Sequence, residues 1–161
     1  MREPTQVFEL LETLYNTFDR VARRLGVFKV ETIGDCYVAA TGLPEPNPDH
    51  AIVMARFSKH CMSKMRHVVN KLAVTLGPDT GILSMRCGLH SGPVTGGVLR
   101  GDKSRFQLFG DTVNTAARLE QTSIPNKIQL SQATADELTA ANRSSWIVAR
   151  DDKIVAKGKG E

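Results

Sequence analysis

Residues 29–35 read Lys-Val-Glu-Thr-Ile-Gly-Asp and lead directly into a second apolar run, Cys36 to Thr41. Gly34-Asp35 is a turn-forming pair. The runs on either side of that pair predict two short strands, Val27 to Ile33 and Cys36 to Thr41. The stretch therefore predicts a β-hairpin that carries Asp35 at its tip.

Two long amphipathic helices are predicted around this hairpin. Apolar residues recur at helical spacing from Thr5 to Leu25, with Pro4 near the start and Gly26 just beyond the end. The same spacing returns from Asp49 to Leu72, after a proline-rich break at Pro44 to Pro48.

The rest of the chain alternates between the two kinds of element. Strands are predicted over Leu83 to His90, Val94 to Leu99, Arg105 to Phe109 and Lys127 to Leu130, helices over Asp111 to Gln121 and Ser131 to Ala140, and a terminal hairpin over Trp146 to Ala156. This order predicts an α/β fold of the α+β sandwich type, in which helices pack against a mainly antiparallel sheet.

Length, charge and cysteine content limit the class of protein to which the chain can belong. The 161 residues suffice for one domain with a proper core. The formal net charge of +4 comes from scattered basic residues, so no nucleic acid partner is predicted. Cys36, Cys61 and Cys87 lie far apart without a Cys-x-x-Cys pair, which indicates a reducing, intracellular setting.

No apolar run approaches the ~20 residues that a membrane helix needs. We therefore expect no membrane contact by this segment. Its expected location is the cytoplasm, either as a free protein or as the intracellular domain of a membrane protein.

A second motif decides the functional interpretation. Residues 109–118 read Phe-Gly-Asp-Thr-Val-Asn-Thr-Ala-Ala-Arg, and a glycine-containing segment, Met85 to Gly92, lies between them and the hairpin. In this order, the three segments resemble the signature segments of the class III nucleotide cyclase catalytic domain, the adenylate and guanylate cyclase family. The resemblance implies a ferredoxin-like core and covers nearly all of a single domain, 1–161.

The resemblance implies an enzyme in which the 3′-hydroxyl of a nucleoside triphosphate attacks the α-phosphate and pyrophosphate departs. Such a site must bind metal, orient the ribose and neutralise phosphate charge. Asp35 matches a metal-binding aspartate, and a carboxylate is a suitable ligand for the two Mg²⁺ or Mn²⁺ ions that the family uses. Taken alone, a Gly-Asp pair is more commonly an ordinary turn.

Asn114 and Arg118 lie four residues apart, which places them on one face of the predicted helix. By resemblance, Asn114 holds the ribose ring oxygen, and Arg118 contacts the α-phosphate as negative charge builds up in the transition state. An isolated Asn and Arg would more often mark a solvated helix face. Arg86 and Lys157 match family residues that hold the phosphates, with Lys159 as the alternative to Lys157.

Glu31 and Gln107 match the pair that reads the purine base. The Glu31 carboxylate can accept hydrogen bonds from N1–H and the exocyclic amine of guanine, whereas adenine N1 is itself an acceptor. Gln107 departs from the residues usual in either branch, and its amide can serve guanine O6 or adenine N6. The sequence thus predicts a guanylate cyclase that forms cyclic GMP, with an adenylate cyclase or a non-catalytic regulatory module as alternatives.

In the family the site lies between two catalytic domains. One side would supply Asp35 and Arg86, and the other side would supply Glu31, Gln107, Asn114, Arg118 and Lys157. Because this chain holds both sets, we expect a homodimer or pairing with a second cyclase domain.

The resemblance does not extend to the family's first strand, which bears the first metal-binding aspartate, or to its last strand. We therefore expect a truncated domain that is weak or inactive by itself, since two-metal chemistry needs both carboxylates.

Overall fold

The computed structural model describes residues 4–33, 35–43, 45–76, 83–99 and 105–150. The helices are α1 (Pro4–Leu25), α2 (His50–Leu76), α3 (Asp111–Gln121) and α4 (Gln132–Ala140), with a 3-10 turn at Ser144–Trp146. The strands are β1 (Phe28–Ile33), β2 (Cys36–Ala40), β3 (Cys87–Leu89), β4 (Thr95–Leu99), β5 (Arg105–Phe109) and β6 (Ile128–Leu130). The predicted alternation of helices and strands is confirmed.

The strands pair as three short ladders within the described residues. β1 pairs antiparallel with β2, β4 antiparallel with β5, and β3 parallel with β6. β1 also contacts β5, which links the first hairpin to the second. Two of these three ladders are antiparallel, so the predicted mainly antiparallel α+β architecture is confirmed.

The first hairpin has the predicted geometry. Ile33 lies opposite Cys36, so Asp35 lies at the end of the hairpin where the two strands are joined. The register shifts between Lys29 and Glu31, and such an irregularity bends a strand and redirects its side chains. Glu31 lies immediately after this bend.

The main core lies where α1 and α2 pack on the hairpin. Leu14, Phe18 and Val21 of α1 are nearly inaccessible to solvent, as are Phe57, Cys61 and Val69 of α2. The Tyr37 ring of β2 meets the Phe18 ring edge-on at 5.5 Å. Burying each large apolar side chain stabilises the fold by about 1.5–3 kcal/mol, and this cluster therefore fixes the hairpin to the two helices.

A smaller buried group joins α4 to the β3–β6 ladder. Leu138 and Thr134 are fully enclosed, and the Ser131 hydroxyl caps α4 by accepting from the Thr134 N–H. The Ser131 N–H donates to the Leu89 carbonyl at 3.0 Å. The helix is therefore tied to the end of the ladder that precedes it.

Two predicted strands are wrong in part. Of the strand predicted over 83–90, only Cys87–Leu89 forms, because Met85 is engaged by Asn126 instead of a strand partner. The Asn126 N–H donates to the Met85 carbonyl at 2.7 Å, and the Met85 N–H donates to Asn126 Oδ1 at 3.3 Å. Asn126, a turn residue with φ of 63°, thus binds the backbone groups of Met85 that would otherwise be available to a neighbouring strand.

The described part of the predicted terminal hairpin, 146–150, is also not a strand. Trp146 closes a 3-10 turn in which its N–H donates to the Arg143 carbonyl at 3.0 Å. The guanidinium groups of Arg143 and Arg56 lie 5.4 and 5.8 Å from the Trp146 ring centroid. Local turn bonds and cation–π contacts therefore prevail here. Residues 151–156 lie outside the described residues.

Across the described part of the chain, no helix is both long enough and apolar enough to cross a membrane.

Candidate active site

Asp35 lies at the exposed tip of the first hairpin. Burial, together with the negative charges of Asp35 and Cys36, raises the pKa of Tyr15 to about 12. The hairpin tip thus presents a solvent-accessible carboxylate beside the N-terminal helix.

The hairpin is held in place by a contact that the sequence did not reveal. The Tyr37 hydroxyl donates to Asp19 Oδ1 at 2.7 Å, and Lys29 Nζ lies 3.1 Å from the same carboxylate. Burial and the hydrogen bond to Asp19 both raise the pKa of Tyr37. Asp19 of α1 thus joins both strands. Because the three residues are spread over positions 19–37, no local sequence pattern predicts this contact.

The helix predicted to carry catalysis, α3, begins directly after β5. Gly110 makes this junction with φ of 117°, a region that favours glycine. Asn114 and Arg118 are both exposed and lie one turn apart on the same face. The opposite face, which includes Val113 and Ala116, lines a cleft.

Backbone contact fixes α3 against β3. A Cβ atom on Gly88 would lie 2.7 Å from the Leu119 carbonyl carbon and 2.8 Å from the Ala116 oxygen, and also against the Glu120 nitrogen. Only glycine therefore allows this approach. At the start of the helix, the Thr112 hydroxyl donates to the Pro93 carbonyl at 2.6 Å.

Side chains secure the C-terminal end of α3, where helix carbonyls lack internal partners. Gln129 of β6 donates from Nε2 to the Leu119 carbonyl at 2.9 Å and to Thr122 Oγ1 at 2.7 Å. Arg150 donates to the Thr122 carbonyl at 2.9 Å and also to Gln129 Oε1. The α3 helix is therefore held at its start by the segment between β3 and β4 and at its end by β6.

Arg86 lies just before β3 and binds the last turn of α3. Its Nη2 is 3.2 Å from Glu120 Oε1, and its Nη1 donates to the Gln121 carbonyl at 3.3 Å. Residues two apart on a helix lie on nearly opposite sides, so this ion pair faces away from Arg118. Sequence reasoning missed Glu120, because its partner lies 34 positions earlier in the chain.

The Arg86–Glu120 pair lies toward the hairpin tip. Burial raises the pKa of the Cys36 thiol, and the charges of Glu120, Asp35 and Glu31 raise it further, in that order of effect. The Glu120 charge, like that of the chain neighbour Asp35, therefore acts on Cys36, the first residue of β2.

Glu31 and Gln107 lie on adjacent strands, since β1 contacts β5. Glu31 follows the irregular step of β1, and its Oε2 atom is shielded from solvent. Gln107 occupies the middle of β5, opposite Gly97. Lys157 and Lys159 lie outside the described residues.

The donor set for a metal is limited in the described part of the chain. No group of three or more His, Cys, Asp or Glu side chains there is arranged around one point. Asp35 fits a divalent cation as a single hard-oxygen ligand. Further ligands would have to come from the substrate or from another carboxylate.

A cleft of about 560 Å³ separates β2 from β3. Its walls include residues 38–41 of β2 and the following turn, residues 89–92 after β3, and Ala51 and Met54 of α2. Within the described residues, β2 pairs only with β1 and β3 only with β6. Among the residues that the structure describes, each of the two strands that border the cleft therefore has one edge without a ladder partner.

Comparison with known proteins identifies the family. The family model described as the adenylate and guanylate cyclase catalytic domain matches residues 1–161. Over 162 residues, the chain is 41% identical to guanylate cyclase 2G of Mus musculus, a match that covers 100% of this chain and 14% of that relative. The chain thus spans a small part of the length of this curated relative.

Solved structures agree with the fold. The guanylate cyclase domain of RhGC from Catenaria anguillulae, in complex with GTP, has a TM-score of 0.78 and 35% identity, with 98% of this chain and 81% of that chain covered. The adenylyl cyclase CyaB from P. aeruginosa has a TM-score of 0.80 at 23% identity, with 97% and 78% covered. The latter likeness concerns the fold alone, so the choice of base must be argued from side chains.

Proposed function

We propose that this chain, which belongs to the adenylate and guanylate cyclase catalytic domain family, converts GTP to cyclic GMP and pyrophosphate. The observation that carries the proposal is the contact between β1 and β5. It places Glu31 and Gln107 on adjacent strands, and β5 leads through Gly110 into the helix that holds Asn114 and Arg118. This order supports a site in which Glu31 and Gln107 would read the base and Asn114 and Arg118 would bind the ribose and the α-phosphate.

Glu31 would select guanine. A carboxylate accepts from the N1–H and the exocyclic amine of guanine, and it repels the N1 lone pair of adenine. Shielding of Oε2 from solvent strengthens this discrimination, since a wrong base would leave a buried acceptor facing another acceptor. Gln107 can donate to guanine O6 from its amide nitrogen.

The chemical step forms a bond between the ribose 3′-oxygen and the α-phosphorus and breaks the bond from the α-phosphorus to the bridging oxygen. Pyrophosphate leaves with that oxygen, and the proton of the 3′-hydroxyl passes to water. Asn114 would orient the ribose ring, and Arg118 would neutralise the charge that builds up on the α-phosphate oxygens. Arg86 and Lys157 would hold the β- and γ-phosphates.

Catalysis in this family depends on metal ions in general. We propose that Asp35 contributes one carboxylate to the binding of two divalent ions, Mg²⁺ or Mn²⁺. Such ions, when bound, neutralise phosphate charge and ease loss of the hydroxyl proton. The exposed hairpin tip leaves the Asp35 oxygens accessible from solvent.

The cleft between β2 and β3 supports the view that these residues form most, rather than all, of a single catalytic domain. An extended segment in this cleft would pair with both open strand edges and cover the apolar side chains of Ala51 and Met54. β2 begins one residue after Asp35, so this segment would run beside the strand that leaves the metal-binding turn. We propose that such a segment brings the metal-binding carboxylate that the resemblance assigns to the family's first strand.

We propose that two copies of the chain, or this chain and a second cyclase domain, form the complete site at their interface. Arg86 and Arg118 lie on opposite sides of α3, so a single small ligand does not readily contact both within one copy. In two facing copies, Arg86 of one copy and Arg118 of the other would contribute to the same site. Two equivalent sites would then form. The working location of this domain would be the cytoplasm, free or on the inner side of a membrane protein.

The choice of base can be tested by Glu31→Lys. The lysine donor suits adenine N1 and repels guanine N1–H, so we expect the ratio of kcat/KM for GTP to that for ATP to fall by at least ~100-fold. Rates would be measured with each nucleotide and Mn²⁺ in the longest natural form of the protein. Glu137→Gln, an exposed change on α4, serves as the control. An unchanged preference for GTP would refute the role of Glu31, and a preference of the unsubstituted protein for ATP would favour an adenylate cyclase in which Gln107 reads the base.

A further inference from the structure

Arg86 has both of its terminal nitrogens engaged within the chain. Nη2 binds the Glu120 carboxylate, and Nη1 donates to the Gln121 carbonyl. The pair is only partly buried, since the Arg86 and Glu120 side chains retain 47% and 31% of their exposure. The guanidinium is thus reachable from solvent and at the same time occupied by a protein anion.

Glu120 is fixed within reach of Arg86 by the backbone. Its peptide nitrogen abuts Gly88, two residues after Arg86, so the last turn of α3 cannot slide along β3. Gln129 holds the same turn through the Leu119 carbonyl. The carboxylate is therefore a permanent neighbour of the guanidinium.

We propose that Glu120 competes with the nucleotide polyphosphate for Arg86 and so lowers the affinity of the site for both the triphosphate substrate and the pyrophosphate product. The proposal rests on the phosphate-binding role given to Arg86 under the proposed function. A guanidinium binds a carboxylate and a phosphate through the same pair of N–H donors. A bound polyphosphate would therefore compete with Glu120 for the Arg86 donors.

The energetics make this competition moderate. A partly exposed ion pair is weak, because water and salt screen it, so a polyphosphate displaces the carboxylate without difficulty. Because the carboxylate stays beside the guanidinium, its return to Arg86 assists departure of pyrophosphate.

The test is the affinity for inorganic pyrophosphate, measured by isothermal titration calorimetry with Mg²⁺ present, in the longest natural form of the protein. We expect Glu120→Gln to lower the dissociation constant by roughly two- to fivefold. Glu137→Gln removes the same charge from an exposed position on α4 and is expected to leave it unchanged. In an Arg86→Met background, Glu120→Gln is expected to have no effect.

Three results would overturn the inference: equal affinity in Glu120→Gln and Glu137→Gln, weaker binding in Glu120→Gln, or a gain that persists without Arg86. Glu120→Asp, which keeps the charge but shortens its reach, provides a second variant with an expected gain smaller than that of Glu120→Gln. Cyclic GMP formation by the unsubstituted protein is assayed in parallel. If cyclic GMP forms and the affinity result fails, the competition is wrong while the proposed function stands.

Discussion

Replacing Arg118 by alanine is expected to lower kcat for cyclic GMP formation by roughly 10²- to 10³-fold while KM for GTP changes little. The reason is that Arg118 would act on charge that appears only in the transition state. The side chain is exposed on α3, and such surface substitutions usually alter the free energy of unfolding by no more than about 0.5 kcal/mol. Initial rates over a range of GTP concentrations measure both constants.

Arg66→Ala, at another exposed helical arginine, controls for the loss of one positive charge. A fall in rate that is equal in Arg66→Ala and Arg118→Ala would show that Arg118 has no specific role.

Asn114→Ala is expected to reduce kcat similarly, because the ribose would no longer be held for in-line attack.

A mixture of two variants, Asp35→Asn and Asn114→Ala, tests whether the site is divided between two copies. Each variant is expected to be nearly inactive alone. A mixed dimer would contain one intact site, so an equal mixture should recover about a quarter of the unsubstituted activity if copies exchange freely. No recovery on mixing, despite exchange of subunits, would contradict a site built from two chains.

Replacing Gly88 by alanine is expected to lower the free energy of unfolding by about 1–3 kcal/mol and to reduce kcat by roughly 10²-fold. The three atoms nearest to the added methyl group would all be backbone atoms of α3, and these cannot rotate away as a side chain can. The helix would have to move, and with it Asn114 and Arg118. Urea unfolding followed by circular dichroism gives the first quantity, and rates at saturating GTP give the second.

Gly92→Ala provides the comparison for this substitution. Its Cβ atom would lie 2.7 Å from Thr112 Oγ1, a side-chain atom that can turn aside at the cost of one hydrogen bond. We therefore expect a smaller loss of stability than in Gly88→Ala. If the two variants unfold at the same urea concentration, close contact between β3 and α3 is not what positions the helix.

Local signals predicted much of the fold. Gly34 and Asp35 form a turn pair next to apolar strand residues, and α1 shows regular apolar spacing between Pro4 and Gly26. In both cases the deciding interactions lie within a few residues of one another. The predicted helix Asp111–Gln121 is confirmed at both ends for the same reason.

Long-range contacts account for what the sequence did not reveal. The strand predicted at 83–90 fails because Asn126 binds Met85 from 41 positions away. Arg86 was assigned to phosphate from its motif alone, and its contact with Glu120 depends on how α3 packs on Gly88. No spacing rule in a single sequence gives such a pairing.

The most direct test of the guanylate cyclase assignment is a competition assay with equimolar GTP and ATP and with Mn²⁺, in which cyclic GMP and cyclic AMP are quantified together. It should use the longest natural form of the protein, with residues 1–161 alone assayed beside it. We predict that cyclic GMP is the dominant product and that residues 1–161 alone produce little of either. Cyclic AMP as the main product, or neither product from the longest form, would contradict the account.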